Sequence, residues 1–245
     1  MYCNRKGELR AKAVKHTEKM EREYLGEITQ AHRASIIYDD KNVPPAKRDG
    51  DPEYALLKKD SVSALFSQKG RYCVLNFASY RNPGGNFIGG SMAQEEALCH
   101  TSFLYNVLRR ETEFYEWNNA HKNQGLYLNR AIYTPGVRFF LGRYYRDADV
   151  LTCAAPNRGF KQRRFSEEEN DAVLKNRIDF IARIIAAHAD DLDGVILGAF
   201  GCGVFAQNPT RVAQLFKESP IPAKLKVVFA IPGGKNYTDF AKVFG

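Results

Sequence analysis

The sequence predicts an α/β protein, a three-layer α/β/α sandwich with a helical extension at its N-terminus. Apolar runs of strand length recur at residues 72–78, 130–135, 149–157, 194–200 and 224–234. Segments with helical apolar spacing lie between these runs, and continuous apolar strands are typical of a sheet covered by helices on both faces. The 245 residues, 44% of them apolar, are enough to bury a large core in one domain.

The N-terminal part is less regular than the rest of the chain. Residues 8–33 are rich in Ala, Glu, Lys and Leu, which predicts a helix, and residues 36–38 are a short apolar run that predicts a strand. The charged, proline-containing residues 39–53 are expected to form an exposed loop. We expect one domain over residues 1–245, with residues 1–60 as an extension packed on it.

Helices are predicted after most of the apolar runs. Residues 60–68 begin with Asp60 or Ser61 as an N-cap, and residues 93–111 have apolar side chains at helical spacing. The strongest helix signal is at residues 166–190, where Ser166 and Glu169 form a capping box. Shorter helices are predicted at residues 210–219 and 236–244.

Three loops follow predicted strands and contain glycine or proline. They read NPGGNFIGG at 82–90, APNRG at 155–159 and GCGVFAQNP at 201–209. In sheets of this class ligands bind where loops leave the carboxyl ends of the strands. The sequence therefore predicts that the three loops together form a ligand site.

Each glycine loop has two interpretations on its residues alone. The GCGVF loop either points backbone amides at a phosphate near a helix N-terminus or is a tight turn. It is neither a Walker motif nor a dinucleotide fingerprint. The loop at 84–90 either crosses flexibly from strand to helix or lets ribose and phosphate approach the backbone closely.

Glu95 and Glu96 follow the first glycine loop and also allow two interpretations. Acidic residues in a first helical turn complement the helix dipole, whereas an acid beside sugar-binding glycines suits glycosidic chemistry. Helical geometry does not decide which of the two side chains enters a site. His100 and His188 are expected to be structural, and Cys202 has no identifiable basic partner.

Composition restricts the partners and the setting. The net charge of +8 favours an acidic partner, but no sequence-specific nucleic-acid motif is present. The five cysteines lack metal-like spacing with histidine, so we expect no zinc site, and Cys73 and Cys153 are expected to be buried free thiols. No cofactor is expected. We find neither a membrane-spanning run nor an N-terminal secretory signal, and we expect an intracellular monomer.

The run VLNFASYRNPGGNFIGGSMAQEEALCHTSFLY at 74–105 closely resembles the signature segment of the microbial-type poly(ADP-ribose) glycohydrolases, which are macrodomains. IYTPGV, DVLTCAAPN and VILGAFGCGVFAQNP follow in the family's order, so the resemblance spans residues 60–232. It implies a macrodomain-like fold with a mixed central sheet and no metal. It also implies hydrolysis of the ribose–ribose O-glycosidic bonds of poly(ADP-ribose) on modified proteins, with release of ADP-ribose.

The same resemblance implies roles for individual residues. Glu96 corresponds to the family's catalytic acid and Glu95 to the carboxylate that holds the ribose. The substrate-binding positions are Gly84, Gly85, Asn86, Gln94 and Asn157, together with Gly201, Cys202, Gly203 and Val204 around the diphosphate and Phe205 at the ribose.

The chain departs from the family pattern at two positions. Asn86 stands where the family has the third glycine of its loop, and Gly89 stands where it often has asparagine. Asparagine tolerates a left-handed backbone, so either the loop keeps its shape or the cleft narrows and accepts a different linkage. Mono-ADP-ribosyl hydrolysis and non-catalytic ADP-ribose binding are the alternative functions, and general nucleic-acid binding rests on charge alone.

Overall fold

A seven-stranded mixed β-sheet forms the centre of the fold in a computed structural model that describes residues 2–161 and 164–245. The strands are β1 (Ile36–Asp39), β2 (Glu53–Leu57), β3 (Tyr72–Phe77), β4 (Arg130–Leu141), β5 (Tyr144–Cys153), β6 (Gly194–Leu197) and β7 (Lys226–Ala230). Their order is β1-β4-β5-β3-β6-β7-β2. The run from β5 to β2 is parallel, and β4 is antiparallel to both of its neighbours.

Helices cover both faces of this sheet. They are α1 (Tyr2–Glu23), α2 (Leu25–Ala34), α3 (Ser61–Phe66), α4 (Gln94–His100), α5 (Leu104–Leu108), α6 (Thr112–Ala120), α7 (Glu167–Ala187), α8 (Pro209–Glu218) and α9 (Gly234–Phe244). One apolar core joins α7, α8 and α9 to the sheet, and a second core on the opposite face joins α1 to α6. Alternate residues of β3 enter different cores, as the pleat of a strand requires. The predicted three-layer α/β/α sandwich is confirmed.

Parallel pairing brings the carboxyl ends of three central strands to one edge. Phe77 of β3 lies beside Cys153 of β5, and Val74 pairs with Ile196 of β6. The loops that leave β5, β3 and β6 are consequently neighbours, as the sequence predicts.

The predicted N-terminal helix is broken, and one strand was missed. Tyr24 has φ −130° and ψ 26° and separates α1 from α2, while its ring packs against Phe103 and Phe140. The break lets α2 turn and pack along β4. The strand β2 starts at Glu53, at the end of the stretch predicted to be a loop, and it was missed because its five residues show no clear alternation.

The region after the first glycine loop also differs from the prediction. The single helix expected at 93–111 is two helices, because the chain forms a bridge between Ser102 and Phe139 at the break. The Ser102 hydroxyl donates to Leu98 O at 2.7 Å and accepts from Leu104 N at 3.1 Å, which closes α4 and starts α5. The helix α6 was not predicted. The strand expected at 130–135 continues through a bulge to Leu141 and forms a hairpin with β5.

Three sequence expectations concern cysteines, membranes and metals. Cys73 and Cys153 are buried free thiols, as predicted. Within residues 2–161 and 164–245, no helix is long and apolar enough to cross a membrane. The same residues contain no group of three or more His, Cys, Asp or Glu side chains placed to hold a metal ion.

Candidate active site

A cleft of about 1240 Å³ opens where the three loops meet at the carboxyl edge of the sheet. One wall is the glycine loop after β3 together with the start of α4. The opposite wall is the loop after β6, and the start of α3 and the chain after β7 extend the cleft. The volume exceeds that of a typical small-ligand pocket, which is roughly 300–1,000 Å³. The cleft is therefore large enough for a ligand the size of a dinucleotide.

Glu95 is held at the bottom of this cleft and is 3% exposed. Its Oε2 accepts from the backbone N–H of Ser79 at 2.7 Å, and its Oε1 accepts from the Asn76 amide at 3.3 Å. Burial, reinforced by the nearby charge of Glu96, raises the pKa of Glu95 to about 8, against the opposing effect of these donors. Glu95 is consequently a neutral acid at pH 7.

Glu96 lies beside Glu95 and is 6% exposed. Its Oε1 accepts from the backbone N–H of Asn86 at 2.9 Å, and its Oε2 accepts from Ala93 N–H, immediately before α4, at 2.8 Å. The second bond is one half of a capping box. The other half, a bond from the Glu96 N–H to the N-cap side chain, is absent because Ala93 has no side-chain acceptor. Glu96 thus ties the glycine loop to the start of the helix.

The raised pKa of Glu95 gives a pH dependence of stability. The folded chain keeps this proton up to about pH 8, whereas the unfolded chain releases it near pH 4.5, so the folded state binds more protons in between. We expect the free energy of unfolding to fall as pH rises from about 5 to about 8. Urea denaturation across this range measures the effect. Glu95→Gln, which is neutral throughout, should remove most of the slope; an unchanged slope would contradict the assignment.

Two consecutive left-handed residues lie at the start of the first glycine loop. Gly84 and Gly85 have φ +64° and +62°, a conformation that favours glycine. A Cβ at Gly85 would lie 2.6 Å from Glu96 Oε1 and 2.9 Å from Glu95 Oε2. Gly85 therefore leaves the space that both carboxyl groups occupy.

The side chain of Asn86 occupies the space that a side chain at Gly89 would need. The Asn86 amide donates to Ser91 Oγ at 2.7 Å, and a Cβ at Gly89 would overlap Asn86 Oδ1. The asparagine side chain is thus folded over Gly89, inside the loop. Asn86 is exposed and lines the cleft, but this bond to Ser91 holds its side chain against the loop.

Gly89→Ala is expected to displace the Asn86 side chain and break its bond to Ser91. The cost should be about 1 kcal/mol of unfolding free energy, the value of one hydrogen bond, measured by urea denaturation. Asn86→Gly in the same chain removes the overlap, so the double variant should be less destabilised than the sum of the two single variants. Strict additivity of the two changes would contradict the coupling.

The opposite wall combines an open glycine loop with aromatic rings. Gly201 has φ +73°, and a Cβ there would lie 2.7 Å from the Ala155 Cβ, while Gly203 has open space around it. Val204 is 87% exposed at the mouth. The Phe205 ring lies 6.2 Å from the ring of Tyr127, which stacks on Tyr80 at 4.1 Å; all three line the cleft.

Not every predicted site residue lines the cleft. The residues that do are Gly85, Asn86, Gln94, Glu95, Glu96, Gly201, Gly203, Val204 and Phe205. Gly84 does not line the cleft, and a Cβ built at Gly84 would lie 2.7 Å from the Tyr105 ring and 3.2 Å from Cys99 Sγ. Cys202 is turned away, its thiol contacts Phe200 O, and burial raises its pKa to about 12. Asn157 also lies outside the lining, with its backbone N–H bonded to Gly125 O at 2.8 Å.

Gln94 lines the cleft, but its side-chain amide forms hydrogen bonds to other residues of the protein. It accepts from Phe77 N–H at 2.9 Å and donates to Leu75 O at 2.9 Å and Ser61 Oγ at 3.1 Å. These bonds satisfy backbone groups at the end of β3, beyond its last pairing with β6 at Val74. Gln94 therefore fixes the start of α4 against the sheet.

Several residues of the site were missed by sequence reasoning. Asn76 and Ser79 bind Glu95, and the stacked rings of Tyr80 and Tyr127 line the cleft. The signal for Asn76 and Ser79 was available, because they are polar residues at the carboxyl end of an apolar strand. Tyr127 lies in a segment without regular structure, so no pattern could have placed it.

The catalytic-domain model of the microbial-type PARG family, that is, poly(ADP-ribose) glycohydrolase, matches residues 8–142, more than half of the chain. The chain belongs to this family. The resemblance noted in the sequence is thereby confirmed, and the chain is a poly(ADP-ribose) glycohydrolase. No curated protein sequence matches it significantly.

Solved structures agree with this assignment. Poly(ADP-ribose) glycohydrolase from Thermomonospora curvata superposes with a TM-score of 0.84 at 28% identity, over 97% of this chain and 100% of that one. The same enzyme bound to the inhibitor ADP-HPD gives 0.83 at 28% identity, over 96% and 99%. The enzyme from Deinococcus radiodurans in complex with ADP-ribose gives 0.77 at 24% identity, over 89% and 96%, a likeness of fold. The predicted macrodomain-like fold is confirmed.

Proposed function

We propose that Glu96 is the general acid in hydrolysis of the ribose–ribose bond of poly(ADP-ribose), with ADP-ribose as the product. The observation that carries this proposal is the pair of buried carboxyl groups beside Gly85 in a cleft of sufficient size. Both oxygens of Glu96 are fixed by backbone N–H groups, so its position is defined before substrate arrives. A glycosidase needs such a fixed acid next to the leaving oxygen.

In the proposed reaction Glu96 gives its proton to the bridging oxygen as the C–O bond to the terminal ribose breaks. The remaining polymer leaves as an alcohol, and the terminal ribose passes through an oxocarbenium-like transition state. Water then adds to the sugar carbon and returns a proton to Glu96. Every atom and proton is accounted for without a metal or cofactor.

Glu95 is proposed to hold the hydroxyl groups of the terminal ribose. Because burial raises its pKa to about 8, it can both donate and accept hydrogen bonds at pH 7. Ser79 and Asn76 fix its orientation.

The remaining predicted contacts divide between the two walls. We propose that the open backbone from Gly201 to Val204 receives the diphosphate, since Gly203 has free space around it. Phe205 is proposed to pack against the ribose, supported by Tyr127. Gly84 and Cys202 would contribute backbone only, because Gly84 has no side chain and the Cys202 thiol contacts Phe200 O.

The domain boundary and assembly are part of the proposal. Ala13, Met20, Ile28 and Ala31 of α1 and α2 are buried in the same core as α4 and α5, which supports one domain over residues 1–245. We propose that this domain acts as an intracellular monomer on ADP-ribose polymer attached to proteins.

The test is incubation with a polymerase that carries long ADP-ribose chains, with chromatography of the released products. Free ADP-ribose is the expected product. A matched substrate that carries one ADP-ribose per side chain serves as the comparison. Release from that substrate together with inertness towards polymer would contradict the proposal, and binding of ADP-ribose without any product would indicate a non-catalytic reader.

A further inference from the structure

The N-terminal half of α1 carries exposed basic side chains that are not explained by the fold. Arg5, Lys6, Arg10, Lys12 and Lys15 are all exposed, and Glu8 is the one acidic residue among them. None of the five forms an ion pair with another residue in the described part of the chain, although the second half of the same helix is rich in such pairs. Lys6 and Arg10 lie about one helical turn apart on the same side of α1, and we call these two residues the α1 basic face.

This face lies next to the first glycine loop, residues 82–90. A Cβ at Gly90 would lie 2.5 Å from Lys6 O and 3.2 Å from Arg10 N, so the loop and the helix backbone are in contact. The His16 ring meets the Phe87 ring edge-on at 6.5 Å, which fixes the helix against the same loop. The N-terminal half of α1 is thus next to the rim of the cleft on the Glu96 side.

The chemistry of the reaction decides what lies on that side. The inference rests on the proposed function: if Glu96 protonates the leaving oxygen, the part of the polymer that leaves must start beside Glu96. Each unit of that polymer carries a diphosphate with two negative charges. Two neighbouring cations at this rim, which form no ion pair within the described residues, match such a chain in charge.

We propose that the α1 basic face binds the diphosphates of the leaving portion of the polymer, outside the cleft that holds the terminal ADP-ribose. Both residues adjoin the first glycine loop, because their backbone contacts Gly90. Binding there would favour long chains over short ones without adding any contact to the terminal unit. Its contribution should weaken as salt concentration rises, since it is electrostatic and exposed to solvent.

The test uses the full chain with the double substitution Lys6→Gln and Arg10→Gln. The matched control is Lys69→Gln with Arg143→Gln, which makes the same charge change at exposed positions on the opposite edge of the sheet. The KM for long polymer is measured at about 50 mM and about 200 mM salt, and ADP-ribose binding is measured by calorimetry. Thermal unfolding confirms that both variants fold.

We expect the α1 variant to raise the polymer KM about fivefold at low salt and to reduce the salt slope of log KM by about 1.4, the value for two lost phosphate contacts on a single strand. ADP-ribose affinity and the control variant should match the wild type. Equal polymer KM in the two variants overturns this inference while leaving the proposed function intact. A wild-type chain that neither cleaves polymer nor binds ADP-ribose overturns both. If the α1 variant loses affinity for single-stranded DNA but keeps its polymer KM, the face binds nucleic acid and the inference is wrong.

Discussion

Glu96→Gln is expected to reduce polymer turnover by about 10²–10⁴-fold, the usual contribution of a positioned general acid. The amide cannot give a proton to the leaving oxygen, whereas the shape of the side chain is retained. ADP-ribose release from modified polymerase measures the loss. Calorimetry should show that ADP-ribose still binds, because Glu95 and the opposite wall of the cleft are unchanged.

The same substitution has a structural cost that must be separated from the catalytic one. Glu96 accepts two backbone N–H groups, and a glutamine can accept only one of them with its carbonyl oxygen, so roughly 1–3 kcal/mol of stability is at risk. Glu169→Gln is the matched control. Glu169 occupies the same capping position in α7 and accepts Ser166 N–H at 2.7 Å, but it is exposed and does not line the cleft. If the two variants lost stability similarly and Glu96→Gln kept full turnover, Glu96 would have only a structural role.

The fold was largely predictable because its signals are local and strong. Six of the seven strands are predicted from apolar runs, although the strand predicted to start at residue 149 starts at Tyr144. The strand β2 is not predicted, because the formation of a five-residue edge strand depends more on pairing with β7 than on its own sequence pattern. The break at Tyr24 depends on the rings of Phe103 and Phe140, which are far away in sequence.

The site was predictable to the level of loops but not of side chains. The parallel order of β5, β3 and β6 explains why three sequence-distant loops meet. Periodicity could not choose between Glu95 and Glu96, and the structure gives them different surroundings: Glu95 is bonded to Asn76 and Ser79 after β3, Glu96 to backbone N–H groups of the loop. Those partners come from elements outside the helix, so no property of the helix alone could reveal them.

Gly85→Ala is expected to lose about 10²-fold or more in turnover while the chain still folds. The added methyl group would lie 2.6 Å from Glu96 Oε1 and 2.9 Å from Glu95 Oε2, so both carboxyl groups must move. A displacement of about 1 Å at a reacting group is enough to cost about 10²-fold in rate. Turnover of polymer under saturating conditions measures the effect.

Left-handed strain is the competing explanation for such a loss, and Gly142→Ala isolates it. Gly142 has φ +61°, close to the +62° of Gly85, but no atom lies within 4 Å of a Cβ built there. Gly142→Ala should lose about 1–2 kcal/mol of unfolding free energy, because alanine is strained in this conformation. Gly85→Ala should lose more, because its methyl group also displaces the two carboxyl groups. Only Gly85→Ala should lose turnover and affinity for ADP-ribose. Equal activity in the two variants would mean that the space beside the glutamates is not needed for catalysis, and that Gly85 is required for the shape of the loop alone.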